Sequence, residues 1–572
     1  MLTTSKRPSF VRKTRTSLLC VSLLLVSSCT GAASTDPSWE VELRARLQEF
    51  DRQDAPAVVV GIARQGETVF AEGFGMADLE QNIAATPDTI FHVASVSKQF
   101  TAFSIALLEM EEKVSREDDI REFLPYVPDY GTPVRIRHLI HHTSGLRSFG
   151  DLFMLGGQYM DGTWKQSQVV NLVAQQSALD FAPGSEYTYN NTGYSLLGEI
   201  VTAATGQTLR EFTTENIFGP LDMTNTFVGD DETEIIPNRA KSYTSTSRED
   251  GSVTWKRHPL NFSTTGSTGL KSTASDLLKW GSNFSSLRDE KPELMEKVLP
   301  PSQLDDGTPI NYGYALAEQY FASHRAIGHS GSEASFRARI AWFPEQDVSI
   351  VILSNFHIDN AALMHEIASI YLGETPSPEG NTIPPEVEQD PSLTTALEGS
   401  YLPEFGRLIT LTSDQEQLIW SEQDGTVISE IIFHDDQSFE TPGRRQYTYF
   451  TPEFDDQGEI TGLIRHDEID LNVRVPKVQP WQPDSDTLKG FEGRFYSGDV
   501  DQTYSFSVVD GVLLADSLWA PEPLVMTPSV EGRFDAEWPL NSVEFLRDAA
   551  GNVTSMTVHS GRVRNMIFEK QE

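Results

Sequence analysis

The sequence predicts an α+β unit, one antiparallel sheet packed by a helical region, followed by two small antiparallel β-barrel-like domains. Three observations carry this. Strand patterns stand at both ends of residues 38–373, with helical patterns between them. Residues 374–390 (ETPSPEGNTIPPEVEQD) are rich in proline and acid, which is linker chemistry. Beyond that linker the chain reads as strand almost throughout, and it repeats itself.

The leading strands are Ala57–Ala63 and Glu67–Ala71, joined at Gln65-Gly66 as a hairpin. Phe100–Val114 reads as a helix, apolar at 103, 106, 107 and 110. Arg337–Phe343 and Val348–Ser354 read as strands separated by Pro344-Glu345-Gln346-Asp347. In the tail, Leu397-Glu398-Gly399-Ser400-Tyr401 recurs as Phe491-Glu492-Gly493-Arg494-Phe495. Asp455–Leu463 recurs as Asp548–Met556. The period is too long for a solenoid, so the expectation is two copies of one β domain, over 391–476 and 490–570. Lys477–Lys489 would link them.

The chain has 572 residues, 38% of them hydrophobic, enough for a large core. Asp and Glu number 83 against 44 Lys and Arg, a formal charge of -39. Such a surface repels nucleic acid and anionic membrane faces. Residues 1–28 differ: five basic residues, no acid, and an apolar run Leu18–Val26 too short to span a bilayer. They read as a secretory signal peptide. Val26-Ser27-Ser28-Cys29 resembles a lipoprotein processing box, so Cys29 is the expected lipidation site; cleavage after Ala33 is the alternative. The protein is then exported to the periplasm or outer envelope, touching membrane only through that lipid. Cys20 and Cys29 are the only cysteines, so the mature chain holds no disulfide.

Three short segments carry chemistry. Ser95-Val96-Ser97-Lys98 is the one Ser-x-x-Lys in the chain, and it precedes an apolar-periodic run. Ser95 then sits near a helix N-terminus, with Lys98 one turn along the same face. Backbone N–H groups there can hold an oxyanion, and a desolvated lysine can activate the hydroxyl. Alone, the pattern reads as a helix cap and a surface lysine. Tyr189-Asn190-Asn191 opens a second apolar helix, Tyr194–Val201. Tyr189 can relay protons and Asn191 can bind a substrate amide, against the plainer reading of a capping Asn after a packed Tyr. His329-Ser330-Gly331-Ser332 precedes the later strands; a glycine beside a strand admits another backbone, and Ser332 offers an N–H. His559-Ser560-Gly561 echoes His466 through the tail repeat and is set aside as β-domain architecture.

These segments, in this order, resemble the serine β-lactamase and penicillin-binding-protein superfamily, class C-like branch, over roughly residues 40–372. Arg137–Leu146 and Gly269–Leu277 match in kind. The resemblance implies a β-lactamase/transpeptidase-like fold for 38–373. It implies Ser95 as acylated nucleophile, with Lys98 and Tyr189 sharing the acid/base work. Asn191, His329, Gly331 and Ser332 would bind substrate, the N–H groups of Ser95 and Ser332 forming the oxyanion hole. It implies no metal and no organic cofactor. The substrate is a small peptide, ester or lactam; oligomeric state is left open.

His329 stands where β-lactamases of the branch carry Lys, which points to the D-aminopeptidase, D-peptidase and esterase members. The alternatives are a β-lactamase or D-Ala-D-Ala carboxypeptidase, and an inactive cell-envelope binding protein. A free imidazole titrates near 6.5. Carboxylate substrates should therefore be poor at neutral pH and improve in mild acid. A metal site on His138, His141 and His142 lacks an acid and the His-Glu-x-x-His pattern. Tyr447, Tyr449, Trp481 and Trp519 could face carbohydrate, but core packing explains them more simply.

Overall fold

The computed structural model describes residues 38–572 except 160–161, 249–252, 375–385, 389, 415–416, 423–426, 429–430, 442–448, 467–472 and 519–521. The signal segment, Cys29, Tyr447, Trp519 and most of the linker lie outside the described residues.

The elements that position the site are helix α1 (Ser38–Leu47), strands β1 (Val58–Arg64) and β2 (Glu67–Phe74), α2 (Ser97–Met110), α3 (Asn191–Thr205), α4 (Ala274–Glu290), β3 (Ala317–Phe321), β4 (His324–Glu333), β5 (Phe336–Phe343), β6 (Val348–Ser354) and α5 (Asn360–Leu372). The strands form one antiparallel sheet in the order β3-β4-β5-β6-β1-β2. Gln65 and Gly66 both take positive φ, at 53° and 80°, the two-residue turn the hairpin needs. β1 is buried on both faces, which explains its unbroken apolar run. Val58, Val60 and Ile62 join Leu43, Leu47, Leu363 and Met364 of α1 and α5. Val59 faces the other core, with Leu277, Leu278 and Trp280 of α4. The expected helix over 100–114 starts three residues earlier, because Ser97, Lys98 and Gln99 are buried too. Polar residues inside a core carry no periodic apolar signal, and their reason appears in the site.

The two tail units differ in closure. The last eight strands, from Gly493–Ser497 to Val563–Gln571, close into a barrel. The first copy contributes to a ten-stranded sheet that is open among the described residues. Closure depends on strand tilt and stagger, which alternation in a sequence does not encode. The repeat itself is physical. Gly399 and Gly493 share a φ of 144° and 145°. Lys477 lies 5.6 Å over the Tyr401 ring, and Lys570 lies 5.6 Å over Phe495. Lys477 therefore belongs to a strand of the first unit, Val473–Val478, not to a link. Trp481 packs on Phe491 and Phe534 against the core, whereas Tyr449 is exposed and stacks on His466 at 4.4 Å.

The closed barrel is clamped to the leading unit by buried charge. Arg147, 3% exposed in its side chain, pairs with Asp180 at 3.2 Å and with Asp499 at 2.6 Å. Asp180 also accepts from the backbone N–H of Arg564 at 3.1 Å. Tyr504 of the barrel donates to the Leu155 carbonyl at 3.1 Å. Removing one partner would strand a buried charge, so the clamp fixes where the barrel's last turn points.

Candidate active site

Ser95 lies in a single 3-10 turn, Ala94–Val96, that feeds α2. Ala94 is held at a φ of 47°, a left-handed conformation that alanine rarely adopts. The surroundings hold it there: the Ser97 hydroxyl donates to the Ala94 carbonyl at 2.6 Å and accepts from Leu270 N–H at 3.0 Å. Ser97 is thus buried for a structural purpose.

Lys98 is fully buried, with its Nζ 3.0 Å from Ser95 Oγ, 2.7 Å from Asn191 Oδ1 and 2.7 Å from the Ser267 carbonyl. None of these partners is a carboxylate. Burial drives its pKa well below the ordinary 10.5. A neutral amine has two protons and one lone pair. Asn191 Oδ1 and the Ser267 carbonyl only accept, so they take the two protons. In that neutral form the remaining lone pair faces the Ser95 hydroxyl, 3.0 Å away, and can take its proton.

Tyr189 packs its ring 4.9 Å from Lys98 Nζ. Its hydroxyl lies close enough to feel Ser95, yet no hydrogen bond of normal geometry closes. Burial holds the phenol protonated. In Tyr189-Asn190-Asn191 the capping residue is Asn190, which accepts from Gly193 N–H. Asn191 is thereby free to enter the cleft. His142 stacks on Tyr189 at 4.3 Å, and His138 Nδ1 accepts from Arg135 N–H. Both rings pack and cap, and no metal-ligating cluster occurs among the described residues.

On the opposite wall, His329 is locked between Tyr312 and its own strand. Nε2 lies 2.8 Å from the Tyr312 hydroxyl and Nδ1 2.5 Å from the Ser330 carbonyl. A carbonyl only accepts, so Nδ1 carries the proton and Nε2 accepts from Tyr312. Burial is the chief cause that pushes the imidazole down to about 3. This corrects the expected rise of carboxylate turnover in mild acid: His329 stays neutral through that range. Gly331 faces the nucleophile turn so closely that a Cβ there would lie 2.2 Å from the Val93 carbonyl. The Ser332 side chain points to solvent, leaving its backbone as the useful part.

The segment set aside in the sequence also reaches this cleft. His559 itself is structural: Nδ1 accepts from Asn565 N–H and the ring packs on Phe405. The turn that follows is not mere barrel architecture. Gly561 abuts Asp151, and Arg562 N–H donates to Asp151 at 3.3 Å. The Arg562 guanidinium lies 5.1 Å over the Tyr189 ring and makes no ion pair among the described residues. It partners a residue 373 positions away, so no local pattern announces it. Ser267, Tyr312 and Glu333 were missed for the same reason.

The Beta-lactamase family model matches residues 43–369, more than half of the chain. The chain belongs to the Beta-lactamase family. It is a serine hydrolase of that family with a β-lactamase/transpeptidase-like fold. A D-aminopeptidase of Brucella canis is 25% identical over 553 residues, covering 93% of this chain and 99% of that one. A D-aminopeptidase of Gluconobacter oxydans is 28% identical over 369 residues, 64% of this chain and 66% of its own. The octameric penicillin-binding protein homologue from Pyrococcus abyssi superposes with a TM-score of 0.50 at 22% identity, over 85% of this chain and 98% of that one. That last likeness speaks to fold alone.

Proposed function

We propose that this hydrolase removes N-terminal D-residues from amides and short peptides through an acyl-enzyme on Ser95. The observation that carries the mechanism is Lys98: a buried amine 3.0 Å from the nucleophile hydroxyl, its pKa pushed well down by burial. Ser95 Oγ attacks the scissile carbonyl as its proton passes to Lys98 Nζ. The developing oxyanion takes the backbone N–H groups of Ser95 and Ser332. Collapse breaks the C–N bond, and the leaving amine receives a proton through Tyr189, replenished from Lys98. Water then hydrolyses the Ser95 ester by the reverse relay. The D-residue preference rests on the D-aminopeptidase relatives that span nearly the whole chain.

Export and lipidation at Cys29 remain part of this proposal. The mass of the native N-terminus tests them; an unmodified chain beginning at Ser34 would reverse the lipid assignment.

A panel of D- and L-amino-acid p-nitroanilides, p-nitrophenyl esters and nitrocefin tests the activity. The expected order is D-aminoacyl amide first and nitrocefin last. Preference for an L-amide, or for nitrocefin, would overturn the reading.

Arg562 modifies the expectation drawn from His329. A neutral His329 offers a leaving-group carboxylate little, but Arg562 brings a cation over Tyr189 from the barrel. Arg562→Ala should therefore lower kcat/KM for a D-dipeptide against its C-terminal amide by about tenfold or more, the worth of a charge-assisted bond. His329→Lys should shift the same ratio the other way. The acid-to-amide ratio in both variants checks this. Unchanged ratios would show that neither group sees the leaving carboxylate.

A further inference from the structure

Side chains on one strand face alternate, so His329, Gly331 and Glu333 share the face of β4 turned to the nucleophile. β3 pairs with β4 only as far as Gly328, which leaves 329–333 an open edge. A substrate lying along that edge meets His329 at one end and Glu333 at the other, about 13 Å apart at the backbone. The two ends are chemically distinct. The Tyr189 ring stands 6.1 Å from His329, so the leaving amine departs at that end. The acyl residue must then lie toward Glu333.

Glu333 is not used by the mechanism above, yet it is built into place. It ends β4 at a two-residue turn, Ala334-Ser335, which Ser242 and His258 pin through hydrogen bonds to Ser335. Its side chain is 16% exposed. Oε2 lies 2.6 Å from His92 Nε2 and accepts the Thr268 hydroxyl. On its far side, His92 Nδ1 lies 2.9 Å from Lys271 Nζ. With Nε2 donating to Glu333, Nδ1 accepts from Lys271, so a directed chain of donors ends on one oxygen. Oε1 accepts from no group among the described residues. Despite burial, the hydrogen bonds from His92 and Thr268 keep this carboxyl below its usual range, hence ionised. Its field reaches both Lys98 and Tyr189.

We propose that Glu333, through Oε1, recognises the protonated α-amino group of the acyl residue and so sets the enzyme to single residues with a free N-terminus. The inference rests on the D-aminopeptidase reading and deepens it. Substrate ammonium completes a carboxylate whose other oxygen is already committed. An N-acylated substrate has no cation to offer, and it leaves a buried charge facing an amide. His92, Thr268 and Lys271 act through Glu333 as positioning residues.

The test is a matched pair, D-alanine p-nitroanilide and its N-acetyl derivative, in wild type, Glu333→Gln and Glu333→Asp. The wild type should prefer the free amine by at least about 100-fold. Glu333→Gln should lose most of that preference, chiefly through KM on the free amine, while N-acetyl turnover holds or rises. Glu333→Asp, which keeps the charge but shortens the reach, should fall between. Fluorophosphonate labelling of Ser95 reports whether each variant keeps its fold. An equal fall on both substrates would make Glu333 structural and overturn the proposal. So would loss of Ser95 labelling in Glu333→Gln together with an unchanged ratio in Glu333→Asp. A wild type that turns over both equally overturns this proposal alone. One that turns over neither overturns the D-aminopeptidase reading and this proposal with it.

Discussion

Ser95→Ala lowers kcat/KM on the best amide substrate by at least about 10⁴-fold, with little change in melting temperature. Ser95 is half-buried and its side chain is small, so its loss removes chemistry and little packing. Lys98→Met is nearly as severe. Methionine fills the volume but leaves Asn191 Oδ1 and the Ser267 carbonyl without their donor, so it also costs stability. Residues acting as one unit lose function non-additively. The double variant should therefore be no worse than Ser95→Ala, and a far worse one would show independent roles. The pH profile carries the same logic. A base must be unprotonated, and burial pushes Lys98 well below the ordinary 10.5, toward its neutral form. As pH falls through its depressed value Lys98 gains a proton and kcat/KM drops. An ordinary lysine would instead need pH near 10.5, so activity rising only above pH 9 would contradict a buried, neutral Lys98.

Gly331→Ala is the second large effect. Its Cβ would meet the Val93 carbonyl at 2.2 Å, Ser95 N at 3.1 Å and Ala94 Cβ at 3.2 Å. The first two are backbone atoms of a turn already held in a left-handed conformation, so they cannot rotate aside. The strand must back away, which parts the Ser332 N–H from the Ser95 N–H. Losing one oxyanion donor costs about 10²–10³-fold in kcat, and that is the drop expected here. Ser332→Ala is the control: its side chain is exposed and only its N–H is used, so activity should stay near wild type. Steady-state kinetics on the pair decides it. Equal loss in both would mean that the Ser332 hydroxyl, not the close approach at Gly331, matters.

Much of this was legible in the chain because local chemistry imposed it. Gln65-Gly66 between apolar runs is a turn whatever surrounds it. Ser95 and Lys98 are one turn apart by spacing alone. The tail repeat showed in two segments, and both copies keep the same glycine conformation and the same lysine–aromatic contact. Distant pairings were not legible. Glu333 stands one residue past a recognised segment, but its meaning comes from His92 and Thr268, far away in the chain. Arg562 was passed over because the repeat explained its neighbour His559 so simply. A turn can serve a barrel and reach into another unit's cleft, and nothing in its own residues separates the two roles. The degree of closure of each copy was not legible for a related reason, since closed and open sheets share the same alternation.

The account stands on a covalent intermediate at Ser95. Acid quenching during turnover of a D-aminoacyl ester, followed by peptide mass spectrometry, looks for it directly. The predicted result is the mass of one aminoacyl group on the peptide containing Ser95, absent from Ser95→Ala. An adduct on another residue, or undiminished hydrolysis by Ser95→Ala, would contradict the account.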